Sequence, residues 1–155
     1  MMAPPDGEKP AAPAAAGTAR SSYKLWAPEH VRFSDTDVNG HVNHTLFLSY
    51  FETARVAITR NPALGLLEPG ENFNVVRVEV DYKAELRFPA EFDVGVRGIK
   101  YGRTSFRLGQ AVFTGETCHA IEEVVLVFMD RATRKPKPLS AKLIQWLEEN
   151  GATPN

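Results

Sequence analysis

The longest regular pattern in this chain is an alternation of apolar and charged residues between Val75 and Arg87. The apolar side of the alternation consists of Val76, Val78, Val80, Tyr82, Ala84 and Leu86. Every residue between them is charged, which is typical of an antiparallel strand with one face on a core and the other in solvent. Pro89 ends the pattern.

Similar but shorter alternations elsewhere in the chain predict further strands. The five predicted strands are Val31–Ser34, Val75–Arg87, Phe92–Tyr101, Ser105–Phe113 and Thr117–Met129. A change of phase at Gly98 indicates a β-bulge in the third of them. Two short segments, 101–104 and 114–116, have the composition of hairpin turns. The sequence therefore predicts an antiparallel sheet of five strands.

One segment follows a helical pattern instead. From Leu46 to Ile58, apolar residues recur at spacings of three and four, which predicts an α-helix. The remaining positions are also mostly apolar, so we expect protein to cover this helix on several sides. Asn43 is the predicted N-cap, and the Asn61-Pro62 pair is predicted to end the helix.

The two ends of the chain complete the predicted organisation. A short C-terminal helix is predicted at Ala141–Glu149, capped by Ser140. Residues 1–22 contain seven Ala and four Pro but no Leu, Ile, Val or aromatic residue, so we expect a disordered extension. One folded domain is predicted at 23–150, of class α+β, in which the antiparallel sheet curves around the central helix.

The composition and the charge balance exclude several classes of binding partner and cofactor site. The 155 residues include 18 Lys and Arg against 19 Asp and Glu, and this balance argues against a nucleic-acid or membrane-surface partner. The single cysteine, Cys118, forms no internal disulfide and cannot build a cysteine-rich zinc site. No apolar run approaches the roughly 20 residues that span a bilayer. We expect a cytoplasmic protein that acts on a small molecule.

The chemically informative stretch is R-F-S-D-T-D-V-N-G-H-V-N-H at 32–44, between the predicted first strand and the central helix. Its D-T-D-V-N-G part fits the opening of an EF-hand calcium loop. That loop also requires a bidentate Glu at its twelfth position, which is Leu46 here, and a preceding helix. We therefore do not expect a calcium site.

Two further interpretations of this stretch use the same polar residues. His41 and His44 with Asp35 or Asp37 have the chemistry of a transition-metal site, but no cysteine lies nearby, and we expect no metal. Alternatively, Asp, Asn and Gly simply form a turn, and Asn43 caps the helix. The spacing alone leaves this purely structural interpretation open.

A catalytic interpretation rests on the order of the elements. A carboxylate precedes a tight glycine turn, and the turn leads into the N-terminus of a buried helix. The amides of a first helical turn are oriented donors, and the helix dipole favours negative charge beside them. A base or nucleophile next to such an oxyanion site is what acyl transfer requires.

The stretch R-F-S-D-T-D-V-N-G-H-V-N-H-T-L-F-L-S-Y-F-E-T-A-R at 32–55, with G-R-T-S-F at 102–106, resembles a known family signature. It is similar to hotdog-fold acyl-CoA thioesterases of the 4-hydroxybenzoyl-CoA thioesterase and YbgC-like class, over residues 26–147. The resemblance implies the hotdog fold, a five-stranded sheet wrapped around a central helix. It also implies hydrolysis of an acyl-CoA thioester, with coenzyme A as part of the substrate and no separate cofactor.

The resemblance assigns site residues by position. It implies that Asp37 is the catalytic carboxylate and that the backbone amide of His44 is the oxyanion donor. It places nucleotide contacts near the 101–104 hairpin, which here gives Lys100, Arg103 and Thr104; solvated turn charges are the alternative. It also implies a homodimer or homotetramer with the site between protomers, since pairing hides the sheet edge.

Other polar residues receive structural interpretations or support alternative functions. We expect Asp35 to bond turn amides, His41 to be structural, and Glu52 to pair with Arg55 on the helix surface. His41 and Glu52 would instead serve a hotdog hydratase or dehydratase, although the loop lacks the H-F-P stretch typical of that group. A module that binds acyl-CoA without turning it over is the non-enzymatic alternative.

Overall fold

The computed structural model describes residues 17–155. The strands are β1 (Leu25–His30), β2 (Glu71–Tyr82), β3 (Glu91–Tyr101), β4 (Ser105–Thr114), β5 (Thr117–Asp130), β6 (Lys135–Pro136) and β7 (Thr153–Pro154). The helices are α1 (Leu46–Thr59) and α2 (Ala141–Glu149). The five long strands pair antiparallel in the order β1-β3-β4-β5-β2, so the predicted antiparallel sheet is confirmed.

Helix α1 lies across the concave face of the sheet. Its inward residues Phe47, Tyr50 and Phe51 are almost fully buried, and each contributes about 1.5–3 kcal/mol through burial. On its outer side, Leu48 and Val56 are 45% and 42% exposed. The prediction that protein covers this helix on several sides is therefore wrong for the single chain, because the sheet covers only one side of it.

The first strand lies earlier in the sequence than predicted. β1 pairs with β3 from Leu25 to His30, whereas the predicted segment Val31–Ser34 leaves the sheet and enters a 3-10 turn at Phe33–Asp35. The Asp35 carboxylate accepts the Arg32 N–H at 2.9 Å, and such a local bond favours a turn over a strand.

β2 also differs from its prediction. It begins at Glu71 and ends at Tyr82, and its register against β5 shifts between Val75 and Arg77, which marks a bulge. The apolar alternation continues beyond the strand because Leu86 packs into the core with Val42 and Phe47, not because the strand extends. β2 is the last strand in the sheet, so one of its edges is unpaired.

Two other predictions are confirmed. The register of β3 against β4 shifts between Gly98 and Lys100, as expected for the bulge. α2 has the predicted bounds, and the Ser140 hydroxyl accepts the Leu143 N–H at 3.2 Å as its cap. None of the helices in 17–155 combines the length and apolar character needed to cross a membrane.

The predicted N-terminal extension lies only partly within the described chain. Residues 1–16 fall outside it, whereas 17–22 contact the convex face of the sheet. The Arg20 guanidinium binds the Asp93 carboxylate at 2.6 Å and stacks 4.3 Å from the centre of the Trp26 ring. The folded part thus includes residues that the sequence assigned to the extension.

Candidate active site

A tight turn carries the central aspartate of the loop between β1 and α1. The backbone N–H of Asp37 donates to the His41 carbonyl, and the Gly40 N–H donates to the Asp37 carbonyl, both at 3.0 Å. Gly40 has a φ of +78°, a left-handed conformation that glycine adopts without strain. This glycine therefore lets the chain reverse directly after the carboxylate.

The Asp37 side chain is half-buried on this turn. Its Oδ1 atom accepts the Asn39 N–H at 2.8 Å, which orients the carboxylate. Its Oδ2 atom makes no hydrogen bond or ion pair with any residue of 17–155. One carboxylate oxygen of Asp37 is therefore available to a reacting group.

The neighbouring acid, Asp35, is in a different environment. It is 5% exposed, and its Oδ2 atom accepts both the Arg32 N–H and the Tyr50 hydroxyl, the latter at 2.6 Å. Burial, together with the Asp35 carboxylate, raises the pKa of Tyr50, so Tyr50 remains a protonated donor. The expectation that Asp35 bonds turn amides is confirmed, with Tyr50 as a partner that sequence reasoning missed.

The loop ends at the N-terminus of α1. The prediction that Asn43 is the N-cap is wrong, because the helix starts at Leu46 and Thr45 occupies the N-cap position. The Asn43 Oδ1 atom instead accepts the Thr45 N–H and hydroxyl in the turn before the helix. The His44 N–H, between these residues, has no acceptor in the described part of the chain. A free amide at this position is an oriented donor in the field of the helix.

A pocket of about 290 Å³ opens beside this amide. Its wall is formed by His41, His44, Phe47, Tyr82, Lys83, Ala84, Glu85 and Leu86. The Tyr82 hydroxyl donates to the His44 carbonyl at 2.8 Å and so holds this peptide against the end of β2. His41 Nε2 lies 3.7 Å from Glu85 Oε1, and Asp37 itself is on the adjoining turn outside the pocket wall.

The predicted coenzyme A contacts lie at the other end of the sheet. β3 starts near the loop and ends at the 101–104 hairpin, and its 11 residues span about 33 Å at about 3.3 Å per residue. Lys100 donates to the Pro154 carbonyl at 3.3 Å, whereas the Arg103 guanidinium is exposed and makes no hydrogen bond within residues 17–155. One chain therefore does not bring Lys100, Arg103 and Thr104 together with Asp37.

The predicted pair between Glu52 and Arg55 is wrong. Arg55 is buried, and its Nη1 atom donates to Gln110 of β4 at 2.8 Å and to Glu122 of β5 at 3.2 Å. Burial raises the pKa of Glu122 to about 7, against the attraction of Arg55 and with a smaller contribution from Glu52. Glu52 is exposed on the helix and forms no ion pair with the described residues.

No metal-binding group emerges from residues 17–155: no three His, Cys, Asp or Glu side chains come together there in a way that would hold an ion. The two loop histidines lie on the pocket wall, where His41 faces Glu85 and His44 packs edge-on against the Tyr82 ring. The polar side chains of this loop form hydrogen bonds in the turn and at the start of α1, or line the pocket.

Comparisons with known proteins agree with this architecture. The family model of the thioesterase-like superfamily matches residues 31–147. The acyl-CoA thioester hydrolase YbgC of Escherichia coli is 26% identical over 121 residues, which are 76% of this chain and 90% of YbgC. This chain therefore belongs to the thioesterase-like superfamily, and the predicted enzyme class, a thioester hydrolase, is confirmed.

Solved structures confirm the hotdog-type fold. The PA5185 protein of Pseudomonas aeruginosa superposes with a TM-score of 0.77 at 25% identity, covering 88% of this chain and 98% of that one. A thioesterase-superfamily protein from Jannaschia sp. CCS1 has a TM-score of 0.76 at 22% identity, with 86% and 87% covered. The curled sheet, central helix and short C-terminal helix are shared features.

Proposed function

We propose that this enzyme hydrolyses an acyl-CoA thioester to a carboxylic acid and free coenzyme A, with Asp37 as its catalytic carboxylate. The proposal rests on one observation: a carboxylate oxygen and a backbone N–H, each without a partner in the described residues, lie on the same short loop. Asp37 keeps an oxygen without a partner, and His44 keeps an N–H without an acceptor, within the described residues. Similarity to YbgC supports the choice of an acyl-CoA as substrate.

In the proposed mechanism, the thioester carbonyl oxygen accepts a hydrogen bond from the His44 N–H. The dipole of α1 stabilises the negative charge that develops on this oxygen. In one route, the free oxygen of Asp37 attacks the carbonyl carbon and expels the thiolate, and water then hydrolyses the resulting anhydride to the carboxylic acid and restores Asp37. In the other, this oxygen removes a proton from a water that attacks the carbonyl carbon, and the C–S bond breaks to release the carboxylic acid and the thiolate. Loss of the carboxylate abolishes both routes.

A second copy of the chain completes the proposed site. The unpaired edge of β2, its exposed residues Val75 and Val76, and Val56 of α1, which lines a groove with Val75, form a surface suited to self-association. A two-fold axis pairs two such edges antiparallel, so the first residues of one β2 lie beside the last residues of the other.

This symmetric pairing brings together the two groups of predicted site residues, the loop with Asp37 and the hairpin at 101–104, which lie far apart within one chain. The β2 end at Tyr82 lies next to His44, whereas the β2 end at Glu71 lies next to the end of β5, where the Phe128 N–H binds the Thr104 carbonyl. Antiparallel pairing thus brings the hairpin of one copy towards the loop of the other. In the proposed dimer, the cations of one copy hold the coenzyme A phosphates for Asp37 of its partner.

The test is thiol release from short, long and aromatic acyl-CoAs, followed with a thiol reagent. Asp37→Asn should lower kcat by about 100-fold or more, because it removes the base or nucleophile while retaining the shape of the side chain. Asp93→Asn is the control, since the Asp93 carboxylate binds Arg20 at 2.6 Å on the convex face of the sheet, away from α1 and from the edge of β2.

Three results would contradict the proposal. A kcat of Asp37→Asn equal to that of the wild type would remove Asp37 from the mechanism. Loss of the conjugated double bond of an enoyl-CoA without thiol release would indicate a hydratase. Tight acyl-CoA binding with no turnover of any thioester would indicate a binding module.

A further inference from the structure

One buried residue joins three parts of the candidate site. Asp35 accepts the Arg32 N–H and the Tyr50 hydroxyl through its side chain, and it accepts the Asn43 N–H through its own carbonyl at 2.9 Å. These bonds tie the start of the loop, the end of the loop and the second turn of α1 to a single residue. Asp35 and Tyr50 are 5% and 2% exposed, so water does not compete for these bonds.

The two proposed catalytic groups lie directly beside these anchor points. Asp37 follows Asp35 by two residues, and His44 follows Asn43 by one. We propose that the Asp35–Tyr50 pair is a positioning pair that sets the distance between the Asp37 carboxylate and the His44 amide. This inference rests on the proposed function. A misplacement of about 1 Å between reacting groups can lower a rate by about 100-fold.

Packing alone does not explain the tyrosine hydroxyl. The Tyr50 ring lies 4.7 Å from the Phe92 ring and 5.9 Å from the Phe47 ring, contacts that a phenylalanine would also make. The hydroxyl adds one short bond to a buried carboxylate, and charge-assisted bonds of this kind are about twice as strong as neutral ones. The bond therefore serves to fix the loop against the helix.

The central experiment is Tyr50→Phe. We expect kcat to fall about tenfold while KM changes less than twofold, because the hydroxyl positions the reacting groups and does not contact the substrate. Tyr23→Phe is the matched control: Tyr23 is 6% exposed, and its hydroxyl donates to the Gly17 carbonyl at 2.7 Å on the convex face. This control loses a buried hydroxyl bond and should keep the wild-type kcat.

Equal kcat values for the Tyr50→Phe and Tyr23→Phe proteins would overturn the inference, even if both proteins unfold at lower temperature than the wild type. A purely structural hydroxyl would produce that result. A KM that rises by the same factor as kcat falls would also overturn it, because the hydroxyl would then act on substrate binding.

A second variant separates positioning from direct chemistry. Asp35→Asn keeps an oxygen that can accept the Tyr50 hydroxyl, so we expect kcat to stay within about fivefold of the wild type. The loss caused by Asp37→Asn should be far larger. If Asp35→Asn were as damaging as Asp37→Asn, Asp35 would take part in the reaction itself and the positioning assignment would be wrong.

Amide hydrogen exchange supplies a readout that does not depend on turnover. In the Tyr50→Phe protein, the Gly40 and Asn43 amides should exchange faster, because the loop has lost one of its anchors. In the Tyr23→Phe protein, they should exchange as in the wild type. A wild type that releases no thiol would refute the proposed function alone, whereas unchanged exchange at both amides would refute the positioning pair alone.

Discussion

The loop at 31–45 and the hairpin at 101–104 lie at opposite ends of the sheet and use their polar groups differently. In the loop, most donors and acceptors bind one another, and Asp35 alone anchors three segments. At the hairpin, the Arg103 guanidinium is exposed and has no hydrogen-bond partner among residues 17–155. A preorganised loop suits chemistry that depends on geometry, whereas exposed cations suit a flexible phosphate group.

The contrast implies that variants at the two ends change different kinetic constants. Loss of a group that acts in the transition state lowers kcat, and loss of a group that holds a remote part of the substrate raises KM. The loop variants described above should lower kcat. The following experiments test whether the two ends meet between subunits, whether the hairpin acts on binding, and how the core between the two ends responds to pH.

The largest expected effect comes from separating the two copies. Val76→Lys places a charge beside the unpaired edge of β2, which should disfavour edge pairing and yield a monomer in sedimentation or light scattering. Because Val76 is 60% exposed in the single chain, the folded monomer should persist. The ratio kcat/KM should fall by about 100-fold, mainly through a higher KM, since the partner's hairpin holds the coenzyme A phosphates in the proposed site.

Glu116→Lys, in the exposed turn between β4 and β5, is the control for Val76→Lys. It adds positive charge away from β2 and should leave both the mass and kcat/KM unchanged. A monomeric Val76→Lys protein with full activity would show that each chain forms a complete site by itself.

A smaller effect is expected at the hairpin. Arg103→Ala should raise KM for an acyl-CoA about fivefold with kcat unchanged, because one phosphate contact is lost. With an acyl-pantetheine substrate, which lacks the nucleotide, the same variant should match the wild type. An equal defect on both substrates would contradict a role for Arg103 in binding the nucleotide.

Mixing two variants tests whether Asp37 and Arg103 of one site come from different chains. If the site is shared, a heterodimer of Asp37→Asn and Arg103→Ala subunits has one site with both changes and one intact site. At substrate concentrations well below KM, the mixture should therefore be more active than the average of its two parents. Activity equal to that average would place both residues in the site of the same chain.

The smallest effect concerns the core between the two ends. Burial raises the pKa of Glu122 to about 7, above its ordinary value of 4.5, so the folded protein favours the protonated carboxyl. The contribution of this group to the free energy of unfolding is full below about pH 4.5 and is lost as the pH rises through 7. The slope is at most about 1.4 kcal/mol per pH unit.

Glu122→Gln should remove this slope between pH 4.5 and 7, because glutamine does not titrate. The check is urea unfolding of both proteins across that pH range. The slopes of the free energy of unfolding against pH are compared between the two proteins, because the other carboxylates contribute equally to both. Parallel curves for the two proteins would show that Glu122 is ionised in the folded state throughout, held by Arg55 3.2 Å away.

Local patterns predicted the elements well where one residue's neighbours decide its conformation. The bulge at Gly98, the helix α2 and its Ser140 cap were readable because they depend on a few adjacent residues. The helix α1 was found for the same reason. β1 was missed because Trp26, Pro28 and their neighbours do not alternate clearly, while Asp35 draws the predicted segment into a turn.

The wrong prediction for Arg55 arose because its partners are distant in the sequence. Arg55 has Glu52 three residues away, which made a local pair the natural expectation, yet its partners are Gln110 and Glu122 on two strands of the sheet. A signal was present: each residue lies two positions before an inward apolar residue, Val112 or Val124, and therefore on the same face of the sheet. A polar side chain at such a position needs a buried partner, but the pattern does not say which one.

By itself, the sequence determined the class of this protein. Alternation, helical spacing and the turn-to-helix stretch at 32–55 depend on contacts between near neighbours, and together they specify an antiparallel sheet, a central helix and a carboxylate ahead of the helix. Only the tertiary structure decided that Asp35 is tied to Tyr50 while Asp37 keeps a free oxygen, and that the hairpin cations lie at the opposite end. These relations join residues 15 to about 65 positions apart, and local propensity carries no information about which distant groups will meet.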